Sequence, residues 1–293
     1  MIAHLYICNR SFLWNGIDQL PDFQMKMAEF QRMMERINSY ADENLLYLFV
    51  DSFLKTQVLK DVVMSDLLEY DKAVKLIGKE AHVILLAIMK RCKPKNISVW
   101  DLKSYLSLED ENLCHAVIVF SPLKGLRNHM QLISTEQGWF TFRRHYLGRY
   151  PKTPRFFLDE SKKYYPGLNL HPGNETTMRD VIHSHPMQIV CYLSALNDYF
   201  ASGFLSSGKN LNEYLPLFAL THKLENASLD GSKDEKFNFD FQENDKTVTA
   251  YCEAHLKMYH DDKGNNNQHC RIYFKKPVAG EPYIYVGYIG EHL

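Results

Sequence analysis

The sequence has no CxxC pair, no long apolar run and almost no net charge, and each absence excludes something. Its six cysteines, Cys8, Cys92, Cys114, Cys191, Cys252 and Cys270, are scattered through 293 residues. A zinc ribbon or a small disulfide scaffold needs them clustered, so both are excluded. The longest apolar run, "VILLAIM" from Val83, falls far short of the ~20 residues that cross a bilayer. The opening stretch "MIAHLYICNRSFLWNG" has no basic leader, and His4, Asn9 and Arg10 interrupt it, so it does not read as a secretory signal. A formal net charge of −1 excludes a wholly basic nucleic-acid coat but leaves room for a local basic patch. The expectation is a reduced, cytoplasmic protein with no membrane association, no metal and no cofactor.

What is present reads first as helix. Hydrophobic residues make up 45% and charged residues 24% of the chain, which suits a folded protein with a substantial core. Residues 22–70 are predicted helical, with Phe23, Met27, Phe30, Met33, Met34 and Ile37 on one stripe. The methionines suit an adaptable partner groove or a pliable core stripe. A buried helix is predicted at Lys79–Cys92, stopped by Pro94. Another begins at Ser98, with Asp101 three residues on as an acidic capping-box variant. Helices on either side of a short break, within residues 77–106, would also suit a DNA-binding helix-turn-helix or any αα-hairpin. "HAVIVF" (His115–Phe120) reads as a short buried strand.

Residues 124–155 change character. Lys124, Arg127, Arg143, Arg144, Arg149, Lys152 and Arg155 face a single acid, Glu136, and interleave with Trp139, Phe140, Phe142, Tyr146 and Tyr150. Cations among aromatic faces suit a nucleic-acid surface, for which Arg143, Arg144, Arg149, Lys152 and Arg155 are the candidates. The competing account is a helix with buried aromatics whose arginines pair with acids elsewhere. His171, His183 and His185 contain an H-x-H pair, but Pro172 and Pro186 argue for turns and no third ligand falls at a metal-binding spacing. Gln188–Phe200 is predicted helical, and Asn226–Lys236 has a loop-like composition that suggests a domain boundary.

From Lys236 onward the period changes to two. Phe237, Phe239 and Phe241 share one face. Val248, Ala250, Cys252, Ala254, Leu256 and Met258 share another, against Tyr251, Glu253, His255, Lys257 and Tyr259. "CRIYFKK" sets Cys270, Ile272 and Phe274 against Arg271, Tyr273 and Lys275, and "YIYVGYIG" sets Ile284 and Val286 against Tyr283, Tyr285 and Gly287. With short polar links, these strands are predicted to form a four-stranded antiparallel meander. Its polar face would gather Glu253, His255, Lys257, Arg271, Tyr273 and Tyr285. Metal-free RNA cleavage needs a base, an acid and a cation for the phosphate, which His, Glu, Arg and Lys can supply. A solvated face with cross-strand ion pairs would have the same composition.

"CRIYF" followed by "IYVGYIGEHL" resembles the second half of the RelE/YoeB-type mRNA-interferase toxins, over about the last 50 residues. The resemblance implies a phosphate-binding role for Arg271 and a C-terminal histidine role for His292, with Glu253, His255 or Lys257 as base or cation and Tyr273 on the same face. No tyrosine follows His292, and this segment is less basic than those toxins.

The expected fold class is therefore α+β: a mainly helical domain over 1–225, with at most one small sheet, then a C-terminal antiparallel sheet module over 236–293. The expected function is an RNA-binding protein of a toxin-like or phage-defence kind, or a metal-independent endoribonuclease. RNA is the expected partner, on or off the ribosome, together with a protein inhibitor or regulator. The alternatives are a non-catalytic docking sheet and a DNA-binding protein using residues 77–106.

Overall fold

A computed structural model of the chain describes residues 2–12, 20–40, 44–49, 53–95, 97, 99–108, 110–120, 130–231, 234–258 and 270–293. They form two compact units, Met1–Phe142 and Arg143–Leu293. The division thus lies far upstream of the 226–236 stretch.

The first unit is built on a parallel sheet. Its elements are β1 (Ile2–Ile7), α1 (Leu20–Ser39), β2 (Asn44–Phe49), the hairpin β3 (Gln57–Leu59) and β4 (Val62–Val63), α2 (Tyr70–Arg91), β5 (Cys92–Lys95), α3 (Val99–Ser107), β6 (Leu113–Ile118), β7 (Leu132–Ile133) and the start of α4 (Glu136–Arg149). The sheet order is β5-β2-β1-β6-β7, and every neighbouring pair runs parallel. A mainly helical N-terminal domain is thereby corrected. Parallel strands covered on both faces carry continuous apolar runs instead of an alternation, and a short run such as "NLLYLF" cannot be told from buried helix by its period.

The helical stripe of α1 is buried as its spacing predicts, from Phe23 to Ile37. Between the helices of residues 77–106 lies β5, paired with β2 from Leu46↔Cys92 to Phe49↔Lys95. The helix-turn-helix reading fails on this point, since a strand and not a turn joins the two helices. Pro94 is tolerated because β5 is an edge strand. Within α2 the chain breaks at Gly78, whose φ of 80° is open to glycine at little cost.

The second unit is a mixed sheet with helices on one face. After α4 come α5 (Pro154–Tyr164), β8 (Leu168–Leu170), α6 (Asn174–Thr177) and α7 (Pro186–Ala195). A π-helical turn (Leu196–Phe200) then leads into α8 (Ala201–Ser207), followed by α9 (Leu211–Thr221). The remaining strands are β9 (Asn226–Ser228), β10 (Asn238–Glu243), β11 (Lys246–Tyr251), β12 (Ala254–Met258), β13 (Cys270–Phe274) and β14 (Ile284–Gly290). The sheet order is β8-β14-β13-β12-β9. Its strands are antiparallel except at the β14–β8 edge.

The four-stranded meander is therefore corrected too. β8 and β9 flank the sheet, and β10–β11 leave it as a separate two-stranded ribbon. The alternation of "TVTAYCEAHLKMY" is unbroken in sequence, yet the chain departs from strand geometry at Cys252–Glu253. Ala250 and Cys252 pack with Phe237, Phe241, Tyr273 and Tyr285. Ala254, Leu256 and Met258 instead join Ile272, Phe274 and Val286 in the main core with the helices. One parity of residues thus serves two cores.

A β-bulge at Gly287 completes this arrangement. Tyr273 pairs with Tyr288, but the next residue, Phe274, pairs with Val286. The extra residue must be glycine for space: a Cβ there would lie 2.7 Å from Phe239 Cε2 and closer still to Cδ2. On the other edge of β14, buried Asn174 accepts from Ile289 N at 2.6 Å and donates to Val286 O at 3.4 Å. Thr177 Oγ1 donates to Ile289 O at 2.7 Å. Asn174 and Thr177 thereby satisfy the N–H and C=O of Ile289, beyond the last β8 pair at Val286 and Leu170.

Candidate functional site

Arg143 and Arg144 do not present a nucleic-acid surface. Both are buried. Arg143 Nε donates to Tyr164 Oη at 2.8 Å, and its Nη2 lies 3.3 Å from Glu160 Oε2. Arg144 Nε donates to Tyr164 O and Nη1 to Asp198 Oδ2, each at 2.7 Å. The guanidinium of Arg144 also stacks 4.5 Å from the Tyr165 ring centre. A guanidinium taken out of water must find acids and carbonyls, and here it has them. Arg149 and Arg155 are exposed and Lys152 is half-buried beside Phe156, so the proposed five-residue patch is split by burial. Lys124 and Arg127 lie outside the described residues.

The histidine-metal reading finds no support in the local geometry. His171 packs edge-on to Phe239 and Phe241 and accepts from Gly173 N, while His185 bonds Gln188. Among the described residues no group of three or more His, Cys, Asp or Glu is placed to hold a metal ion, and no helix is long and apolar enough to cross a membrane.

The polar face of the C-terminal sheet is divided by the β10–β11 ribbon. Its Phe237, Phe241, Ala250 and Cys252 cover Tyr273 and Tyr285, and Glu243 latches the far end by accepting from Asn169 Nδ2 (2.7 Å) and Tyr285 Oη (3.1 Å). Tyr273 is fully buried and Tyr285 nearly so, and Tyr285 is pushed up to about 12 chiefly by burial and then by Glu243. An open concavity across the whole face is thereby excluded.

Beyond the ribbon, four of the expected residues do converge. His255 stands directly across from Tyr273 and Lys257 directly across from Arg271. The rings of His255 and Tyr273 lie 4.8 Å apart, and Arg271 Nη1 donates to Tyr273 Oη at 3.1 Å. Glu253 is held to one side, accepting from Gly231 N at 2.7 Å. His292 is exposed, with Nδ1 2.5 Å from Leu293 O, and no contact among the described residues joins it to Arg271.

Ser228, which alternation did not single out, completes the group. It lies opposite His255 on β9, with Oγ 3.1 Å from His255 Nε2. His255 Nδ1 is 3.2 Å from Glu253 O. A carbonyl can only accept, so Nδ1 carries the hydrogen and Nε2 accepts from the serine. The imidazole is held neutral, lowered to about 4: burial lowers it most, the Glu253 carbonyl opposes, and Arg271 and Lys257 lower it further. The only advance sign of Ser228 was its place in the loop-like 226–236 stretch, whose first residues prove to be an edge strand.

Lys257 and Arg271 form the unusual feature. Like charges directly opposite on neighbouring strands destabilise a sheet. Both are half-buried, and neither forms an ion pair among the described residues. Arg271 Nε is buried without a hydrogen-bond partner. Two adjacent cations with no counter-charge among the described residues create a local positive potential.

The first unit offers a contrast. A doubly wound sheet of this order ordinarily takes ligand beyond the carboxyl ends of its central strands. Here that space after β1 and β6 is filled by Phe12 and Phe120, stacked 4.8 Å apart, with Phe23, Phe30 and Phe53 around them.

Comparison with protein-family models, curated proteins and solved structures finds no match to this chain.

Proposed function

We propose that the second unit binds RNA by its phosphodiester backbone, with Lys257 and Arg271 as the seat. The carrying observation is the cross-strand cation pair, which forms no ion pair among the described residues. A phosphate oxygen pair would meet the arginine fork and the lysine charge together, removing the repulsion between them. The resemblance of "CRIYF" and "IYVGYIGEHL" to mRNA-interferase strands supports RNA as the polyanion. Tyr288, half-buried beside the seat on β14, offers a face on which a base can stack.

Strand cleavage without metal is the second reading. What favours it is the proton path beside the seat: Ser228 hydroxyl to His255 Nε2, with His255 Nδ1 anchored on a carbonyl. An anion bound between Arg271 and Lys257 would cancel the charges that lower His255, raising its basicity when substrate is present.

The test is fluorescence anisotropy with a labelled single-stranded RNA, with and without EDTA, on wild type, Arg271→Ala and Lys257→Ala. Each variant should weaken binding and reduce the slope of log affinity against log salt by about 1. Equal affinity of wild type and both variants would remove the seat from the function. RNA bound no better than single-stranded DNA would remove the specificity for RNA.

A further inference from the structure

A cluster of aromatic and titratable side chains lies in the first unit, on the sheet face that carries α3. His4 and Tyr6 alternate on β1, Tyr47 lies on β2, His115 on β6, Lys95 ends β5, and Tyr105 comes from α3. The ammonium of Lys95 sits 4.3 Å from the ring centre of Tyr105, 4.8 Å from Tyr47 and 5.8 Å from Tyr6. Tyr6 and Tyr47 are stacked at 5.5 Å, and His4 touches both Tyr47 and His115. α3 is only nine residues long, so it does not cover this face fully. His4, Tyr47, Lys95 and Tyr105 all remain half-buried.

Among the described residues, three donors here are uncommitted. Lys95 has no carboxylate within ion-pair distance among the described residues, and the hydroxyls of Tyr47 and Tyr105 have no hydrogen-bond partner among them. Tyr6 differs: its hydroxyl meets His115 Nδ1 at 2.9 Å and is buried, so it forms a wall. Burial, and then Lys95, lowers His4, which keeps a second positive charge off the site. A lysine whose ammonium is drawn in among aromatic rings keeps its charge available to an incoming anion. This one is ringed by the faces of Tyr105, Tyr47 and Tyr6 on the side of the sheet that α3 covers in part.

We infer that this face binds a mononucleotide, with the phosphate on Lys95 and the Tyr47 and Tyr105 hydroxyls and the base against the exposed tyrosine faces. One ammonium offsets part of the phosphate's charge of about −1.5 to −2, and the two hydroxyls donate to its oxygens. The rings around the ammonium also offer faces on which the base can stack. The inference is independent of the RNA seat, which lies in the other unit.

The experiment is calorimetric titration of the full chain with the four ribonucleoside 5′-monophosphates, with adenosine and with inorganic phosphate. At least one monophosphate should bind more tightly than adenosine or phosphate alone. Lys95→Gln should weaken that binding at least tenfold, and Tyr105→Phe, which keeps the ring and the fold, several-fold. The site is overturned if no monophosphate binds at millimolar concentration, if adenosine binds as well as its monophosphate, or if folded Lys95→Gln and Tyr105→Phe both bind as wild type does.

Discussion

Replacing Arg144 with methionine separates a structural arginine from a nucleic-acid contact. Its guanidinium is 3% and the Asp198 carboxylate 14% exposed, with 2.7 Å between Nη1 and Oδ2. Methionine keeps much of the stem volume but leaves Asp198 without its cation and Tyr164 O without its donor. Breaking a buried pair from one side costs about 3–5 kcal/mol, because the remaining charge is stranded. For a unit of this size each kcal/mol moves the midpoint by roughly 2–4 °C, so the second unit's transition should fall by about 6–20 °C. Urea and thermal unfolding followed by circular dichroism would measure it. The double variant Arg144→Met with Asp198→Leu should recover most of the loss, since a well-packed apolar pair often replaces a buried ion pair without cost. RNA affinity of the folded single variant, measured below its midpoint, should match wild type. A loss under about 1 kcal/mol, or reduced RNA affinity at unchanged stability, would refute the assignment of Arg144 to the core.

Two further outcomes follow from the second unit. Gly287→Ala should destabilise by about 1–3 kcal/mol through overpacking against Phe239; the same change made with Phe239→Ala should cost less than the sum of the two single variants, and strict additivity in denaturant titrations would show that the ribbon does not press on the bulge. His255 is lowered to about 4 from 6.5, so as the solution is acidified the unfolded chain takes up its proton first. Its contribution to stability is therefore fully present above pH 6.5 and declines as pH falls toward 4, with a slope approaching ~1.4 kcal/mol per pH unit. Unfolding at a series of pH values should show a shallower acid decline in His255→Gln than in wild type, and identical slopes would contradict the buried neutral state.

Local pattern alone determined much of this protein. The spacing of Phe23 to Ile37 determined the buried stripe of α1, and the alternation of Leu256 with Lys257 and of Ile272 with Arg271 determined which side chains share a face of the sheet. These are short-range consequences of the 3.6- and 2-residue periods. The tertiary structure decided what those faces meet. A short apolar run such as Asn44–Phe49 has no alternation to mark it as a strand, and its period alone does not separate it from buried helix. The stretch from Lys236 to Tyr251 alternates as a sheet strand should, yet it folds away as a ribbon, since period reports only that a segment is extended and not which strand it joins. The pairing of His255 with Ser228 depends on an edge strand 27 residues earlier, a register that no local spacing encodes. Of the basic run at 143–155, Arg143 and Arg144 leave the surface because Glu160 and Asp198 reach them once the second unit has folded, while Arg149 and Arg155 stay exposed; a charge is a surface feature only where the fold leaves it in water.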